Sequence, residues 1–207
     1  MKNLSSSKAL FLDRDGTIIK EVPSEIPSGT DTFGYVTKAS QVELIDGSAA
    51  AIAAARRIGF KTIIISNQSA IARGWLTEKQ LYEINDEMYR QLKKEEENAI
   101  IDDFYFSPYH TDGVIEKYKK ESPMRKPGIG MILEAKKNHK IDLGASYLIG
   151  DSYSDMKCAE NAGIKKILVM TGYGEIALRK CLDEGLKINF IADKLVEAVK
   201  FIESQEY

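Results

Sequence analysis

The segment Phe11-Leu12-Asp13-Arg14-Asp15-Gly16-Thr17 continues an apolar run (Ala9-Leu10) and places two carboxylates at i and i+2. In an extended strand those positions share a face, so both carboxylates project from its carboxyl end. Two nearby anions are costly unless a cation lies between them or one keeps its proton. The pattern therefore points to a Mg²⁺ site or to an acid and nucleophile pair. A bare Asp-x-Asp also occurs as a capping or solvated pair. The same pair directly after a buried-type strand, and followed by Gly-Thr, points to chemistry.

The elements that must position these groups alternate along the chain. Residues 9–13 read as a first strand, followed by a polar loop over about 20–42 that is rich in Pro, Ser, Gly and Thr. Residues 46–58 predict an Ala-rich helix ended by Gly59. Residues 61–66 are a β-branched strand of the kind buried on both faces. Thr77 and Gln80 form a capping box, and Leu81, Ile84, Met88 and Leu92 give the following helix a core stripe. Residues 93–97 are its solvated end. A short strand at 103–106 and a loop to about 127 precede a helix over 128–139. A buried strand at 147–150 runs into Asp151, and a helix over 153–162 closes at Gly163. Strands at 166–170 and 190–191 and a helix over 192–202 complete the pattern. Alternating apolar strands and helices predict an α/β fold, a Rossmann-like three-layer α/β/α sandwich around a mainly parallel sheet.

In such a sheet, ligands sit beyond the carboxyl ends of the strands. Three predicted strands end in polar groups: Asp13 with Asp15, then Ser66-Asn67-Gln68, then Asp151 with Asp155. A fourth group, Arg125-Lys126-Pro127-Gly128, precedes a helix, where its cations balance phosphate charge near the helix N-terminus. Hard oxygen ligands suited to Mg²⁺, a hydroxyl, amides and an ammonium suit phosphoryl transfer, in which positioning and charge neutralisation supply most of the catalysis. Asp155 also reads as a carboxylate favoured at a helix start, and Arg125 as a surface cation.

These four segments resemble the four motifs of the haloacid dehalogenase superfamily, over about residues 8–170. FLDRDGTI, Gly34-Tyr35-Val36, SNQSAIARG (66–74), RKPGIGM (125–131) and IGDSYSDM (149–156) are similar to the D-glycero-D-manno-heptose 1,7-bisphosphate 7-phosphatases and the related histidinol-phosphate phosphatases. The resemblance implies a compact Mg²⁺-dependent phosphomonoesterase without a large cap domain. It implies Asp13 as nucleophile, and Asp15 as the acid that protonates the leaving alkoxide and then the base that activates water. Asp13, the Asp15 carbonyl and Asp151 are the implied Mg²⁺ ligands, with Asp155 behind them. Ser66, the Asn67 amide and Lys126 would bind the transferring phosphate, and Arg125 would face the rest of the substrate. The expected substrate is a phosphorylated sugar, the heptose 1,7-bisphosphate cleaved at C7 for surface-glycan synthesis. Histidinol phosphate is the alternative, and a phosphate-ligand binding module without turnover is the reading from a different class.

Composition bounds these readings. The 207 residues are 43% hydrophobic, enough for one well-cored domain over 1–207. No run approaches the ~18 apolar residues of a membrane span, and the polar, Ser-rich start has no signal-peptide core. A net charge of −2 gives no support to a nucleic-acid or anionic-membrane partner, nor to a DNA 3′-end phosphatase. Cys158 and Cys181 form no CxxC or disulfide pattern, which fits a reducing cytoplasm; Cys158 reads as a small packing residue, and the expected enzyme is a monomer.

The chain also departs from the family. Many relatives carry a zinc loop, Cys-x-His and then Cys-x-Cys before Arg-Lys-Pro. Here those positions are Ser107, Tyr109, Ser122 and Met124, none a good zinc ligand, so no structural zinc is expected. Either packing by Tyr105, Phe106, Tyr109 and Tyr118 replaces the metal in this 107–124 substrate loop, or the loop is mobile. The insertion at 20–34 reads as a flap-like loop over the site. Its Glu21-Val22-Pro23-Ser24 resembles the histidinol side of the group, whereas Ile71-Ala72-Arg73-Gly74 resembles the heptose side. Ser152 stands where relatives often carry Lys or Arg.

Overall fold

The computed structural model describes residues 6–23 and 33–206. In chain order its elements are β1 (Ala9–Leu12), β2 (Val22–Pro23), β3 (Phe33–Gly34), α1 (Ser48–Arg57), β4 (Lys61–Asn67), α2 (Glu78–Glu95) and β5 (Asp103–Ser107). Then come α3 (Gly130–His139), β6 (Tyr147–Gly150), α4 (Tyr153–Ala162), β7 (Lys165–Val169), α5 (Gly174–Asp183), β8 (Phe190–Ala192) and α6 (Leu195–Gln205).

Six strands form one parallel sheet in the order β5-β4-β1-β6-β7-β8. β1 is central, and its four residues are fully buried because helices cover both sheet faces. Leu10 and Leu12 point into a core shared with α1, α2 and α6. Ala9 and Phe11 point into a second core with α3 and α4. α5 closes a smaller cluster against α4 and β7 through Ala177 and Cys181. The result is the expected α/β/α sandwich. Small residues on α1 (Ala51, Ala55) let it pack against Ala198 and Ile202 of α6.

The chain runs from β1 outward to β4 and β5, then returns to β6 on the other side of β1. The crevice beyond β1 and β6 is therefore the topological switch point, where open α/β sheets bind ligands. Asp13 follows β1 and Asp151 follows β6, so the two acidic strand ends flank that crevice.

Several boundaries differ from expectation. α1 starts at Ser48 because Gly47 adopts φ +84°, a left-handed conformation that ends the preceding turn. α3 starts at Gly130, since Gly128 and Gly130 first close turns onto the carbonyls of Arg125 and Pro123. α6 starts at Leu195, as Ala192 still belongs to β8. α5 has no counterpart in the sequence reading. It opens without a side-chain cap and buries the small Gly174, Ala177 and Cys181, while the larger Ile176 and Leu182 face solvent.

The expected loop at 20–42 contains the antiparallel pair β2–β3 and a single 3₁₀ turn, Ala39–Gln41. Residues 24–32 of the flap-like insertion lie outside the described residues. The 107–124 loop is fastened by protein contacts. Val114 and Ile115 donate backbone hydrogen bonds to the Ala72 carbonyl at 2.8 and 3.0 Å. Tyr109 and Tyr118 pack with ring centroids 6.1 Å apart, and the Tyr118 hydroxyl donates to Glu78. Tyr105 takes no part, contrary to expectation. Alternation along β5 turns it to the opposite sheet face, where its hydroxyl donates to Asp103 at 2.6 Å.

Candidate active site

A cavity of about 210 Å³ opens at the switch point. Its lining includes Asp13, Asp15, Ser66, Asn67, Arg125, Lys126 and Asp151, drawn from four separate stretches of chain. Of the expected site residues, only Asp155 is not in the lining, and it lies directly behind it.

Lys126 organises the floor. Its ammonium is fully buried, 2.9 Å from Asp13 Oδ1 and 2.6 Å from Asp155 Oδ1, and it donates to the Ile65 carbonyl at 2.9 Å. Burial alone would lower its pKa, but Asp13 and Asp155 raise it, so the side chain is a fixed cation. The backbone of Lys126, which precedes a cis proline, is clasped by Asn67. Its N–H donates to Asn67 Oδ1 at 3.0 Å, and Asn67 Nδ2 donates to its carbonyl at 3.1 Å. The Asn67 side chain is thus a clasp, which leaves only its backbone amide for an anion.

Asp155 is the N3 residue of a capping box. Its Oδ2 accepts from Ser152 N at 3.1 Å, and Ser152 Oγ is the N-cap of α4. The carboxylate therefore starts the helix and pairs with Lys126 at once.

Asp13, Asp151 and Asp155 each offer an oxygen within 4.8 Å of the others. Burial, opposed by Lys126 and reinforced by Asp155 and Asp15, pushes Asp13 up to about 7. Burial and the same kind of crowding raise Asp151 well above the carboxylate range. Glu21, unassigned by the sequence reading, stands beside them and is pushed up to about 8 by burial and by Asp15 and Asp13. Such a crowd of hard oxygens fits a divalent cation such as Mg²⁺. Asp155 is the poorest donor of the three because Lys126 and Ser152 already occupy it. The backbone is shaped to this cradle, for a Cβ on Gly172 (φ +53°) would fall 2.1 Å from Asp151 Oδ2, and one on Gly16 (φ +76°) 2.2 Å from it.

The Asp15 carboxylate stands apart from that cluster. Arg14 donates to it through Nε (3.2 Å) and Nη2 (3.0 and 2.9 Å), and Gln68 Nε2 donates at 2.9 Å. Gln68 Nε2 also donates to Ser66 Oγ at 2.8 Å, leaving the Ser66 hydroxyl proton to point elsewhere. On the far wall, Arg125 is half-buried and donates to the Tyr109 carbonyl at 3.5 Å. Arg73 lies over the Trp75 ring. Arg14, Gln68, Glu21 and Arg73 were given no role by the sequence reading. Arg14 sits between the two key carboxylates and Arg73 within the quoted Ile-Ala-Arg-Gly, so both were in view.

The comparisons agree with this geometry. Residues 123–198 match a family model described as HAD-hydrolase-like. A D-glycero-D-manno-heptose-1,7-bisphosphate 7-phosphatase of Chlorobaculum tepidum is 34% identical over 201 residues, 95% of this chain and 94% of that protein. The chain belongs to the HAD-type phosphatases. The D-glycero-beta-D-manno-heptose-1,7-bisphosphate 7-phosphatase of Escherichia coli K12 is 36% identical over 81% of each chain. Among solved structures, the D,D-heptose 1,7-bisphosphate phosphatase of B. bronchiseptica, crystallised with magnesium and phosphate, superposes with a TM-score of 0.79. It is 26% identical and covers 96% of this chain and 99% of its own. As a HAD-type phosphatase this protein is a phosphomonoesterase, and the phosphatases of this family depend on Mg²⁺. No helix among the described residues is long and apolar enough to cross a membrane.

Proposed function

We propose that the substrate is D-glycero-D-manno-heptose 1,7-bisphosphate, cleaved at C7 in heptose supply for surface glycans. The observation that carries this reading is the pair Arg73 and Arg125. Burial and the nearby Arg73 hold Arg125 below the usual guanidinium range, although Tyr35 opposes this. Arg73 Nε is buried with no hydrogen-bond partner among the described residues. Among the described residues neither guanidinium forms an ion pair. Two crowded, unmatched guanidiniums beside a phosphatase cavity suit a second phosphate, which binds guanidinium bidentately.

In this reading an Asp13 oxygen attacks phosphorus while Asp15 protonates the departing sugar oxygen. Asp15 then takes a proton from water, which attacks the aspartyl-phosphate and releases phosphate. Lys126, the Ser66 hydroxyl and the Asn67 amide hold the transferring oxygens. Asp13, Asp151 and the Asp15 carbonyl would hold Mg²⁺, which supplies charge neutralisation at the phosphate. We propose further that protein packing, not zinc, orders the 107–124 loop, and that the chain acts as a single-domain cytoplasmic monomer. Histidinol phosphate stays as a second reading because of Glu21. This carboxylate lines the cavity with a buried Oε2 that lacks a partner among the described residues, and a substrate ammonium would satisfy it.

The test is phosphate release with Mg²⁺ from heptose 1,7-bisphosphate, heptose 7-phosphate and histidinol phosphate, with Asp13→Asn as control. A preference for the bisphosphate of at least ~100-fold in kcat/KM, about 2.7 kcal/mol, is expected. Arg125→Ala and Arg73→Ala should erase most of the advantage over the monophosphate. Equal losses on both heptose esters, or a preference for histidinol phosphate, would overturn the assignment.

A further inference from the structure

The Asp15 carboxyl is framed by the side chains of Arg14 and Gln68, which bond to none of Asp13, Asp151 and Asp155. Arg14 is 1% exposed and reaches Asp15 through both Nε and Nη2. Its remaining branch, Nη1, donates to Asn85 Oδ1 on α2 at 3.1 Å. Asn85 is 2% exposed and shares the core-facing side of α2 with Leu81, Met88 and Leu92. An amide in that stripe is expensive, and its Nδ2 is buried without a hydrogen-bond partner. The side-chain hydrogen bond it does make is the one to Arg14. Gln68, also 2% exposed, completes the frame from the end of β4.

The frame is lopsided. Asp15 Oδ2 accepts from Arg14 Nε, Arg14 Nη2 and Gln68 Nε2, whereas among the described residues Oδ1 accepts only from Arg14 Nη2. Oδ1 is therefore the oxygen with room for a proton, and about a quarter of the side chain is open to solvent. A planar guanidinium that grips both oxygens fixes the carboxyl plane as well as its place, which an ammonium does not.

We propose that Arg14, braced by Asn85 and assisted by Gln68, is a positioning residue that aims Asp15 Oδ1 at the leaving-group oxygen. The proposal rests on the reading of Asp15 as the acid. In the step it serves, the Asp13–phosphorus bond forms and the phosphorus–oxygen bond to the leaving group breaks. The proton on Asp15 Oδ1 passes to that oxygen, and Asp15 is left as a carboxylate. The frame keeps the acid oxygen on a rigid lever from α2, so alignment does not depend on the substrate.

The experiment compares kcat/KM for two monoesters with Mg²⁺. One is an alkyl phosphate such as a sugar 6-phosphate, whose leaving oxygen needs a proton. The other is p-nitrophenyl phosphate, whose leaving group departs without one. The variants are Asp15→Asn, Arg14→Met, Arg14→Lys, Asn85→Leu and Gln68→Met, each checked for a wild-type circular dichroism spectrum. Asp15→Asn and Arg14→Met should lose roughly 10²–10⁴-fold on the alkyl ester and under about fivefold on the aryl ester. Arg14→Lys should not restore activity. Asn85→Leu should lose about tenfold in kcat/KM, confined to the alkyl ester. Gln68 also touches Ser66, so part of its loss will be common to both esters.

If Arg14→Met does not fold, Asn85→Leu and Gln68→Met decide the question by the same contrast. Equal losses on both esters in the frame variants, with a selective loss in Asp15→Asn, overturn the positioning role and leave the acid in place. Full activity in Arg14→Lys likewise overturns it, by showing that charge alone suffices. Equal losses in Asp15→Asn itself overturn the acid reading, and the proposal with it.

Discussion

The Lys126 ammonium sits 2.9 Å from Asp13 Oδ1 with no exposed surface of its own. It holds an anionic cluster together before any ligand arrives. Lys126→Met keeps the volume and removes the charge, leaving Asp13 and Asp155 buried and unpaired. It should destabilise the metal-free protein by about 3–5 kcal/mol, read as a lower urea midpoint at unchanged slope. A variant as stable as wild type would show that the cluster does not need this cation.

Asp151 gives the opposite sign. Without Mg²⁺ its carboxylate is crowded by Asp13 and Asp155, so Asp151→Asn should melt higher than wild type in EDTA. With Mg²⁺ the order should reverse. Wild type should gain about 2.7 kcal/mol at a hundredfold excess over Kd, and the variant little. Calorimetric scans in EDTA and in excess Mg²⁺ check both halves.

Gly172→Ala should spare the fold and damage the site. The new Cβ would overlap Asp151 Oδ2 at 2.1 Å, in a backbone conformation that Ala resists. A displacement of about 1 Å at such a group costs on the order of 10²-fold in kcat/KM. Steady-state kinetics alongside thermal melts separate this from unfolding, and a variant of normal activity would refute the tight cradle.

Asp102 carries a pH signature remote from the site. Burial would raise its pKa, but the Thr62 N–H, at 2.9 Å, with Arg56 and Lys61 lowers it overall. A carboxylate depressed in the folded state contributes stability above its unfolded pKa of about 3.9, lost as pH falls through the lower folded value. Asp102→Asn should cost about 1–3 kcal/mol at pH 7 and show a shallower loss of stability below about pH 4. Urea titrations from pH 2 to 7 would expose any parallel behaviour, which sinks the assignment.

Much of this was legible in the sequence because the signals were local. The all-apolar strand before Asp13, the Thr77–Gln80 box and the helix closed by Gly163 each act within a few residues, and each stands where expected. The chemistry-bearing segments were legible because strand ends in a parallel sheet converge. What escaped depended on partners distant in sequence. Asn85 reads as an interruption in a core stripe until Arg14 is seen 71 positions away. Arg73 and Arg125 gain meaning only from each other. α5 escaped because its buried Ala177 and Cys181 are small while the larger Ile176 and Leu182 face solvent.

The reciprocal clasp between Asn67 and the Lys126 backbone joins chain segments 59 positions apart. The chain between them, including the 107–124 loop, hangs outside that joint. The joint separates two kinds of inheritance. Loops between those positions can change length while the buried ammonium keeps its coordinates. A lineage built this way can explore new leaving groups through its periphery and still begin each trial with working chemistry.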